Sequence, residues 1–289
     1  MNVRKMMVIG AGQMGSGIAQ VAAESGLTVL LNDMNDELIQ EGFSRIQHHL
    51  EKRVKNNKIN EEEMALVLSR IVPSNDLRDA HDVDVVVEAV VEKMEVKKSV
   101  FQTLERICPS HTILASNTSS LPITEIAACT QCPERVIGMH FMNPVHAMKL
   151  VEVIRGLATS EETFKVVKSL AQTMGKVAVE VQDFPGFIAN RILIPMINEA
   201  IFCIHEGVGT IESVDQVLKL GMNHPMGPLE LADFIGLDTC LYIMETLHEG
   251  LGDSKYRPCP LLRKYVMAGW LGKKSGRGFY DYSIDKSKR

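Results

Sequence analysis

Three glycines near the start of the chain have the spacing of a phosphate-binding turn. Gly10, Gly12 and Gly15 form Gly-x-Gly-x-x-Gly, and Gln13 and Met14 stand between the last two glycines. Glycines permit a tight turn and let backbone N–H groups and a helix N-terminus approach a pyrophosphate. Glycine-rich turns are common, so this one predicts a dinucleotide site only in the context of a preceding strand, a following helix and an acid.

A carboxylate follows this turn at the distance that a dinucleotide site requires. Asp33 stands about 20 residues further on, where it can accept hydrogen bonds from the adenosine ribose. It would repel a 2′-phosphate, and Met34 and Asn35 follow it without a nearby arginine. The sequence therefore predicts NAD rather than NADP as the cofactor. The alternative is a structural turn in which Asp33 only caps a helix.

A histidine at the end of an apolar run is the candidate base. Oxidation of an alcohol by NAD removes a proton from oxygen, so a base must lie at the hydroxyl, and the ordinary histidine pKa of about 6.5 suits this role. His140 ends the run 136–139, and doubly wound sheets bind ligands at the carboxyl ends of such strands. The pattern is equally typical of a hydrogen-bonded core histidine. Histidines in polar segments are predicted to be solvated: His48, His49, His81, His111 and His248.

The elements that must position these residues follow an α/β pattern. Short apolar runs alternate with amphipathic segments, which predicts a mostly parallel sheet of βαβ units. The predicted strands are 6–9, 28–31, 83–87, 112–115, 136–139, 150–154 and 177–181. The turn residues 184–187 then punctuate the chain, and helical periodicity follows. We expect a Rossmann-type NAD-binding domain over residues 1–184 and an all-helical domain over residues 185–289.

Three helices are predicted in the second domain. The first carries an apolar stripe over residues 188–203 and ends near Gly207, and Pro195 is expected to kink it. The second begins at a capping box formed by Ser213 and Gln216 and stops at Gly221. The third covers residues 238–247.

Composition and charge limit the classes of partner. The net charge of −5 disfavours nucleic acid or an anionic membrane surface as a partner. We find no signal-like or membrane-spanning run, and the six scattered cysteines favour a reducing, cytoplasmic compartment. Cys129 and Cys132 form Cys-x-x-Cys, predicted as a surface loop rather than a redox pair or half of a zinc site, and no metal site is predicted.

Several short runs, in one order along the chain, carry a family resemblance. They are SNTSS at 116–120, HFMNP at 140–144, KLVEV at 149–153, PGF at 185–187 with NR at 190–191, and HPMGP at 224–228. Together they resemble the L-3-hydroxyacyl-CoA dehydrogenase family, most closely its short, single-function members acting on 3-hydroxybutyryl-CoA. The resemblance covers essentially the whole chain. It departs from the family pattern at Met142, His146 and Ala147.

This resemblance implies a reaction and the residues that carry it. NAD(H) would exchange a hydride with C3 of a short-chain 3-hydroxyacyl-CoA or 3-ketoacyl-CoA, such as 3-hydroxybutyryl-CoA and acetoacetyl-CoA. His140 would be the proton acceptor, and Glu152 would orient its ring and stabilise the protonated form. Ser119 and Asn190 would hydrogen-bond the reacting oxygen or the histidine beside it. Because Asn190 follows the domain boundary, we expect the active site to close between domains.

The resemblance also implies binding residues for the cofactor and for coenzyme A. Cofactor contacts would come from Glu92, Lys97, Ser119, Asn143 and Lys274, and coenzyme A contacts from Lys52 and Lys55 in a helical insertion. The alternatives are a solvated Lys97, a local turn around Asn117 and Ser119, and a solvated helix face. The family resemblance further implies a homodimer formed through the helical domain.

Two rival functions fit the same motifs. One is the same chemistry on medium or long acyl chains, because the pocket for the acyl tail has no short signature. The other is a non-catalytic NAD-binding protein that kept the fold. Retention of His140, Glu152, Ser119 and Asn190 together favours an enzyme.

Overall fold

The computed structural model describes residues 3–283. The chain separates into two compact units between Phe184 and Pro185. Residues 1–2 and 284–289, which belong to the predicted domains, lie outside the described residues. Across the described range, we find no helix with both the length and the apolarity needed to span a bilayer.

An eight-stranded sheet, counted over residues 3–283, organises the first unit. Its strands are β1 (Lys5–Ile9), β2 (Thr28–Asn32), β3 (Ile71–Ser74), β4 (Val85–Glu88), β5 (Ile113–Ser116), β6 (Val136–Phe141), β7 (Leu150–Arg155) and β8 (Val177–Gln182). Their order is β3-β2-β1-β4-β5-β6-β7-β8. Neighbouring strands are parallel except β6 and β7. The predicted mostly parallel sheet is therefore confirmed, and its order reverses between β1 and β4, where such folds bind ligands.

The sequence prediction missed β3. This strand is short, lies at the edge of the sheet and contains Pro73, which has no N–H for a ladder hydrogen bond. Only Ile71 and Ser74 are buried, while Val72 and Pro73 are exposed. An edge strand of this kind leaves neither an apolar run nor a clear alternation to read.

Helices cover the sheet of the first unit. They are α1 (Gln13–Glu24), α2 (Asp36–Lys55), α3 (Glu61–Ser69), α4 (Met94–Ile107), α5 (Ile123–Ala127) and α6 (Glu161–Thr173). Local sequence sets several of their starts, since the side chains of Asn35, Asn60 and Ser160 accept hydrogen bonds from the first turns of α2, α3 and α6. The apolar faces of α1 and α6 join the strands in one core, with Ile18, Val167 and Leu170 buried.

The second unit is helical, as predicted. Its helices are α7 (Ala189–His205), α8 (Ile211–Gln216), α9 (Pro228–Ile235), α10 (Leu237–Leu251) and α11 (Pro260–Met267). A π-helical turn, Val217–Gly221, continues α8. These helices enclose a separate core that includes Ile197, Leu237 and Met244.

Two sequence-based details of the second unit were wrong. The cap of α8 is Thr210, whose hydroxyl accepts a hydrogen bond from Ser213 N at 3.2 Å, so Ser213 is inside the helix that it was expected to begin. The sequence analysis also did not predict α9 and α11, which begin at Pro228 and Pro260. Proline is in fact favoured in the first turn of a helix, where its missing N–H costs no intrahelical bond.

Candidate dinucleotide and acid–base site

The glycine turn connects β1 to α1 and needs glycine at two points for different reasons. Gly10 has φ +97°, which L side chains rarely adopt. A Cβ at Gly15 would lie 1.7 Å from Gly10 O, so the first turn of α1 packs directly on the turn. A Cβ at Gly12, by contrast, would meet no described atom within 4 Å. Gly12 therefore borders open space.

The open space at Gly12 suits an anion. Gly12 is the N-cap of α1, and no described side chain caps this helix. The first N–H groups of a helix have no intrahelical partner and carry a partial positive charge, so a pyrophosphate can bind them. Met14 is half-buried in α1 against the core, and Gln13 is exposed.

Asp33 lies directly after β2 and holds the glycine turn. Its Oδ2 accepts a hydrogen bond from Ala11 N at 2.7 Å, and its Oδ1 accepts one from Met34 N at 2.7 Å. Each carboxylate oxygen keeps a second acceptor position. A cleft of about 430 Å³ lies here, lined among others by Gly10, Gly12 and Asp33. Open turn, helix N-terminus and carboxylate together fit a dinucleotide.

Two further residues support the turn, and sequence reasoning missed both. A Cβ at Gly42 in α2 would lie 2.5 Å from Ala11 O, so only glycine allows this close approach. Arg45 Nη1 donates to the same Ala11 O at 3.1 Å. A glycine inside a helix costs about 1 kcal/mol relative to alanine, and this cost was the available signal that Gly42 has a packing role.

Strand register brings His140 and Glu152 together. They are directly paired across β6 and β7, the antiparallel pair of the described sheet, and opposed residues of such a pair project to the same face. His140 Nδ1 lies 2.8 Å from Glu152 Oε2, and the two residues are only 8% and 2% exposed. In the neutral ring, this carboxylate favours the proton on Nδ1, which makes Nε2 the basic nitrogen.

Glu92 organises the turn that carries Ser119. Its Oε1 accepts hydrogen bonds from Thr118 Oγ1 at 2.6 Å, Ser119 N at 2.9 Å and Ser120 N at 3.2 Å. Burial by itself would raise the pKa of Glu92, but the Lys97 ammonium and these hydrogen bonds outweigh it and hold the pKa below its usual range. Two predicted cofactor contacts, Glu92 and Ser119, are thus in direct contact.

Lys97 was expected to be either a cofactor contact or a solvated side chain, and the structure shows that it is not solvated. Lys97 is 1% exposed, and its Nζ lies 2.6 Å from Glu88 Oε1 and 3.2 Å from Glu92 Oε2. Sequence reasoning overlooked Glu88, although an acid that ends an apolar strand was a visible signal. A buried lysine needs such partners because an unpaired charge in the interior is costly.

Two asparagines near the carboxyl end of the sheet make non-local bonds. Gln13 Nε2 donates to Asn143 Oδ1 at 3.1 Å, which brings two predicted cofactor contacts together. Asn117 Oδ1 accepts a hydrogen bond from Phe141 N at 2.9 Å, so this side chain joins separate strand ends rather than forming only a local turn. His49, predicted to be solvated, is half-buried instead, and its ring centroid lies 3.8 Å from that of His146.

Four further predicted residues are described within their own units. Lys52 and Lys55 are exposed in the last turn of α2. In the second unit, Asn190 lies half-buried in the first turn of α7, and Lys274 Nζ donates to Asp238 Oδ2 at 2.7 Å.

In the part of the chain that the structure describes, neither the cysteines nor the acidic residues form a metal centre. Cys129 and Cys132 are half-buried free thiols, and Cys129 Sγ donates to Ile126 O at 3.0 Å. Burial raises the pKa of the Cys129 thiol, which favours its inert protonated form. Within residues 3–283, there is no group of three or more His, Cys, Asp or Glu side chains arranged to hold a metal ion.

Strand order, glycine turn and Asp33 define a Rossmann-type dinucleotide-binding protein. Two family models then cover nearly the whole chain: the NAD binding domain of 3-hydroxyacyl-CoA dehydrogenase matches residues 5–184, and the C-terminal domain matches residues 186–282. The chain belongs to the 3-hydroxyacyl-CoA dehydrogenase family, and its cofactor is NAD. The resemblance inferred from the motifs is confirmed.

Individual relatives agree with this assignment. The chain is 66% identical over 282 residues to a probable 3-hydroxybutyryl-CoA dehydrogenase of Bacillus subtilis, covering 98% of each protein. It is 56% identical over 280 residues to the 3-hydroxybutyryl-CoA dehydrogenase of Bradyrhizobium diazoefficiens, covering 97% of this chain and 96% of the relative. The crystal structure of (S)-3-hydroxybutyryl-CoA dehydrogenase from Ralstonia eutropha superposes with a TM-score of 0.96 at 46% identity, covering 98% of this chain and 100% of the other.

Proposed function

We propose that this chain interconverts a short-chain 3-hydroxyacyl-CoA and its 3-ketoacyl-CoA, with 3-hydroxybutyryl-CoA and acetoacetyl-CoA as the natural pair. The observation that carries the proposal is the buried contact of 2.8 Å between His140 Nδ1 and Glu152 Oε2. A dehydrogenase needs a base at the substrate hydroxyl, and this pair has the chemistry of one. The names of the relatives support the choice of substrate.

Held at the glycine turn and Asp33, NAD would supply the hydride acceptor for C3 of the hydroxyacyl group, and NADH would supply the hydride donor in the reverse direction. In the oxidative direction, His140 accepts the hydroxyl proton at Nε2. Glu152 stabilises the resulting imidazolium through Nδ1 and keeps the ring in one orientation. In the reverse direction, the same imidazolium returns the proton to the oxygen of the 3-keto group.

The remaining predicted residues have supporting roles in this proposal. Ser119 and Asn190 hydrogen-bond the reacting oxygen, which favours the polarised carbonyl. The cofactor is held by the glycine turn with Gln13 and Met14, by Asp33 at the adenosine ribose, and by a further set: Glu92, Lys97, Asn143 and Lys274. The exposed ammonium groups of Lys52 and Lys55 contact the phosphates of coenzyme A, where positive charge offsets the acidity of the chain.

The proposal includes the setting of the enzyme. Residues 1–184 form the NAD-binding domain, and residues 185–289 form the domain that completes the site and dimerises. Exposed apolar side chains of the second unit, among them Ile192, Leu220 and Met267, support a homodimer. Light scattering is expected to give twice the mass of the chain, and a monomeric mass would contradict the proposed homodimer. A cytoplasmic location is part of the same proposal and is checked by cell fractionation.

The direct test is loss of NADH absorbance with acetoacetyl-CoA. We expect turnover by the wild type and a decrease of about 100- to 10,000-fold in kcat for His140→Gln, the usual effect of losing a positioned acid–base group. His111→Gln, at an exposed position of the same unit, is the matched control. No turnover by the wild type would favour a non-catalytic NAD-binding protein, and faster turnover of 3-ketodecanoyl-CoA would favour longer acyl chains.

A further inference from the structure

Glu88, the last residue of β4, is a buried carboxylate outside the proposed chemistry. It is 0% exposed, and both oxygens are occupied. Oε1 accepts hydrogen bonds from Lys97 Nζ at 2.6 Å and Val90 N at 2.7 Å, while Oε2 accepts one from Ser116 Oγ at 2.6 Å. A buried charge is tolerated only when it is paired and hydrogen-bonded. Glu88 meets both conditions by binding three separate points of the chain.

The first consequence concerns the wall of the dinucleotide cleft. Lys97 lies in the first turns of α4 and reaches back to Glu88, so their ion pair closes the loop 89–93 between β4 and α4. Ala89, Val90 and Val91 of this loop line the cleft together with Gly10 and Gly12. A Cβ at Gly10 would lie only 2.5 Å from Ala89 O, so the loop and the glycine turn are in close contact. A shift of the loop therefore changes the width of the cleft.

The second consequence concerns the turn 118–120. Lys97 Nζ also lies 3.2 Å from Glu92 Oε2, and Glu92 Oε1 accepts the hydrogen bonds from Thr118, Ser119 and Ser120. One ammonium is thus shared by two carboxylates. If Glu88 loses its charge, Glu92 becomes the sole anionic partner of Lys97 among residues 3–283. The stronger attraction draws the Glu92 carboxylate toward Lys97 and away from the turn.

We propose that Glu88 is a positioning residue, which acts through Lys97 to hold both the wall of the NAD cleft and the turn that carries Ser119. Glu88 does not touch substrate or cofactor in this role. The part concerning Ser119 rests on the proposed function, whereas the part concerning the cleft rests on the NAD-binding family assignment alone.

The test is Glu88→Gln, which keeps the shape of the side chain and removes its charge. We expect the Kd for NADH, measured by fluorescence, to rise about tenfold, and kcat with acetoacetyl-CoA to fall about 10- to 100-fold, as for a small misplacement of reacting groups. Hydrogen exchange should accelerate in the segments 89–93 and 117–121. The unfolding temperature should fall by roughly 10 °C, because a buried ammonium has lost one partner.

A double variant separates positioning from stability. In Glu88→Gln combined with Lys97→Met, no buried ammonium is left short of a partner, so the unfolding temperature should recover toward the wild type. Hydrogen exchange in segments 89–93 and 117–121 should remain altered; NADH affinity is not the readout in this variant, because Lys97 is itself a proposed cofactor contact. If exchange in both segments recovers together with the unfolding temperature, Glu88 only stabilises the fold and the proposal is overturned. The double variant provides this test even if the single variant does not fold.

The neighbouring ion pair of Lys98 and Glu125 provides the matched control. Lys98 follows Lys97 in α4 and pairs with Glu125 of α5 at 2.8 Å. Both side chains are partly exposed, so Lys98→Met should leave NADH binding and exchange unchanged. Wild-type NADH affinity and wild-type exchange in Glu88→Gln would also overturn the proposal. If the wild type does not turn over acetoacetyl-CoA, the proposed function fails, while NADH binding and hydrogen exchange still decide the role of Glu88.

Discussion

Glu152→Gln isolates the electrostatic contribution of the buried dyad. Glutamine has nearly the same shape as glutamate, and its amide oxygen can still accept a hydrogen bond from His140 Nδ1. What is lost is the negative charge 2.8 Å from the ring nitrogen, at a position where Glu152 is only 2% exposed. The substitution should therefore leave binding intact and raise the energy of every state in which His140 is protonated.

The size of this effect is bounded from two sides. A hydrogen bond to a charged group contributes at least about 1.5 kcal/mol. Two unit charges about 4 Å apart attract by about 4 kcal/mol at an effective dielectric constant of about 20. Because about 1.4 kcal/mol corresponds to a tenfold change in rate, kcat should fall by roughly 10- to 1,000-fold.

Turnover of acetoacetyl-CoA, followed by NADH absorbance, measures this decrease, and NADH fluorescence measures the Kd separately. The Kd should stay at the wild-type value, since Glu152 orients the base and does not hold the cofactor in this mechanism. Glu180→Gln is the matched control, because it neutralises an exposed acid on the adjoining strand β8. A Glu152→Gln enzyme with a kcat within threefold of wild type would refute the electrostatic role, as would equal losses in kcat and NADH affinity.

Two further outcomes test the cofactor site. Gly12→Ala should leave the unfolding temperature unchanged, because the new methyl group meets no described atom. It should weaken NADH binding at least tenfold, because the methyl group occupies the space of the pyrophosphate. An unchanged NADH affinity in a fluorescence titration would exclude this binding mode. Because the pKa of Glu92 is lowered in the folded protein, its contribution to stability is present above pH 4.5, its ordinary pKa, and is lost as the pH falls below that value. The unfolding temperature of Glu92→Gln should therefore fall less on acidification than that of the wild type. If the unfolding temperatures of the two proteins fall in parallel with pH, the lowered pKa of Glu92 is contradicted.

The dinucleotide site was predictable because its chemistry is local. A pyrophosphate needs backbone N–H groups in a tight turn, and Gly10, Gly12 and Gly15 supply that turn within six residues. Asp33 follows at a distance set by one helix and one strand. The apolar runs likewise predicted the central strands, because strands covered on both faces need continuous apolar sequence.

Other elements had weak local signals. The edge strand β3 contains Pro73 and exposes two of its four residues, so no periodicity marks it. The starts of α9 and α11 at Pro228 and Pro260 look like turns, since proline marks both turns and first helical positions. In these cases packing within each unit decides the conformation.

His140 was identifiable from its own position, but its partner was not, apart from the family resemblance. Glu152 is twelve residues away on another strand, and only the antiparallel register of β6 and β7 places it opposite His140. The surroundings of Lys97 were hidden in the same way, because a lysine at a helix start looks solvated until the end of β4 brings Glu88 beneath it. The sequence by itself determined the cofactor turn, the candidate base and the α/β pattern, since each depends on residues close along the chain. Only the tertiary structure decided which charges are buried together, because pairing and burial depend on how distant strands and helices meet.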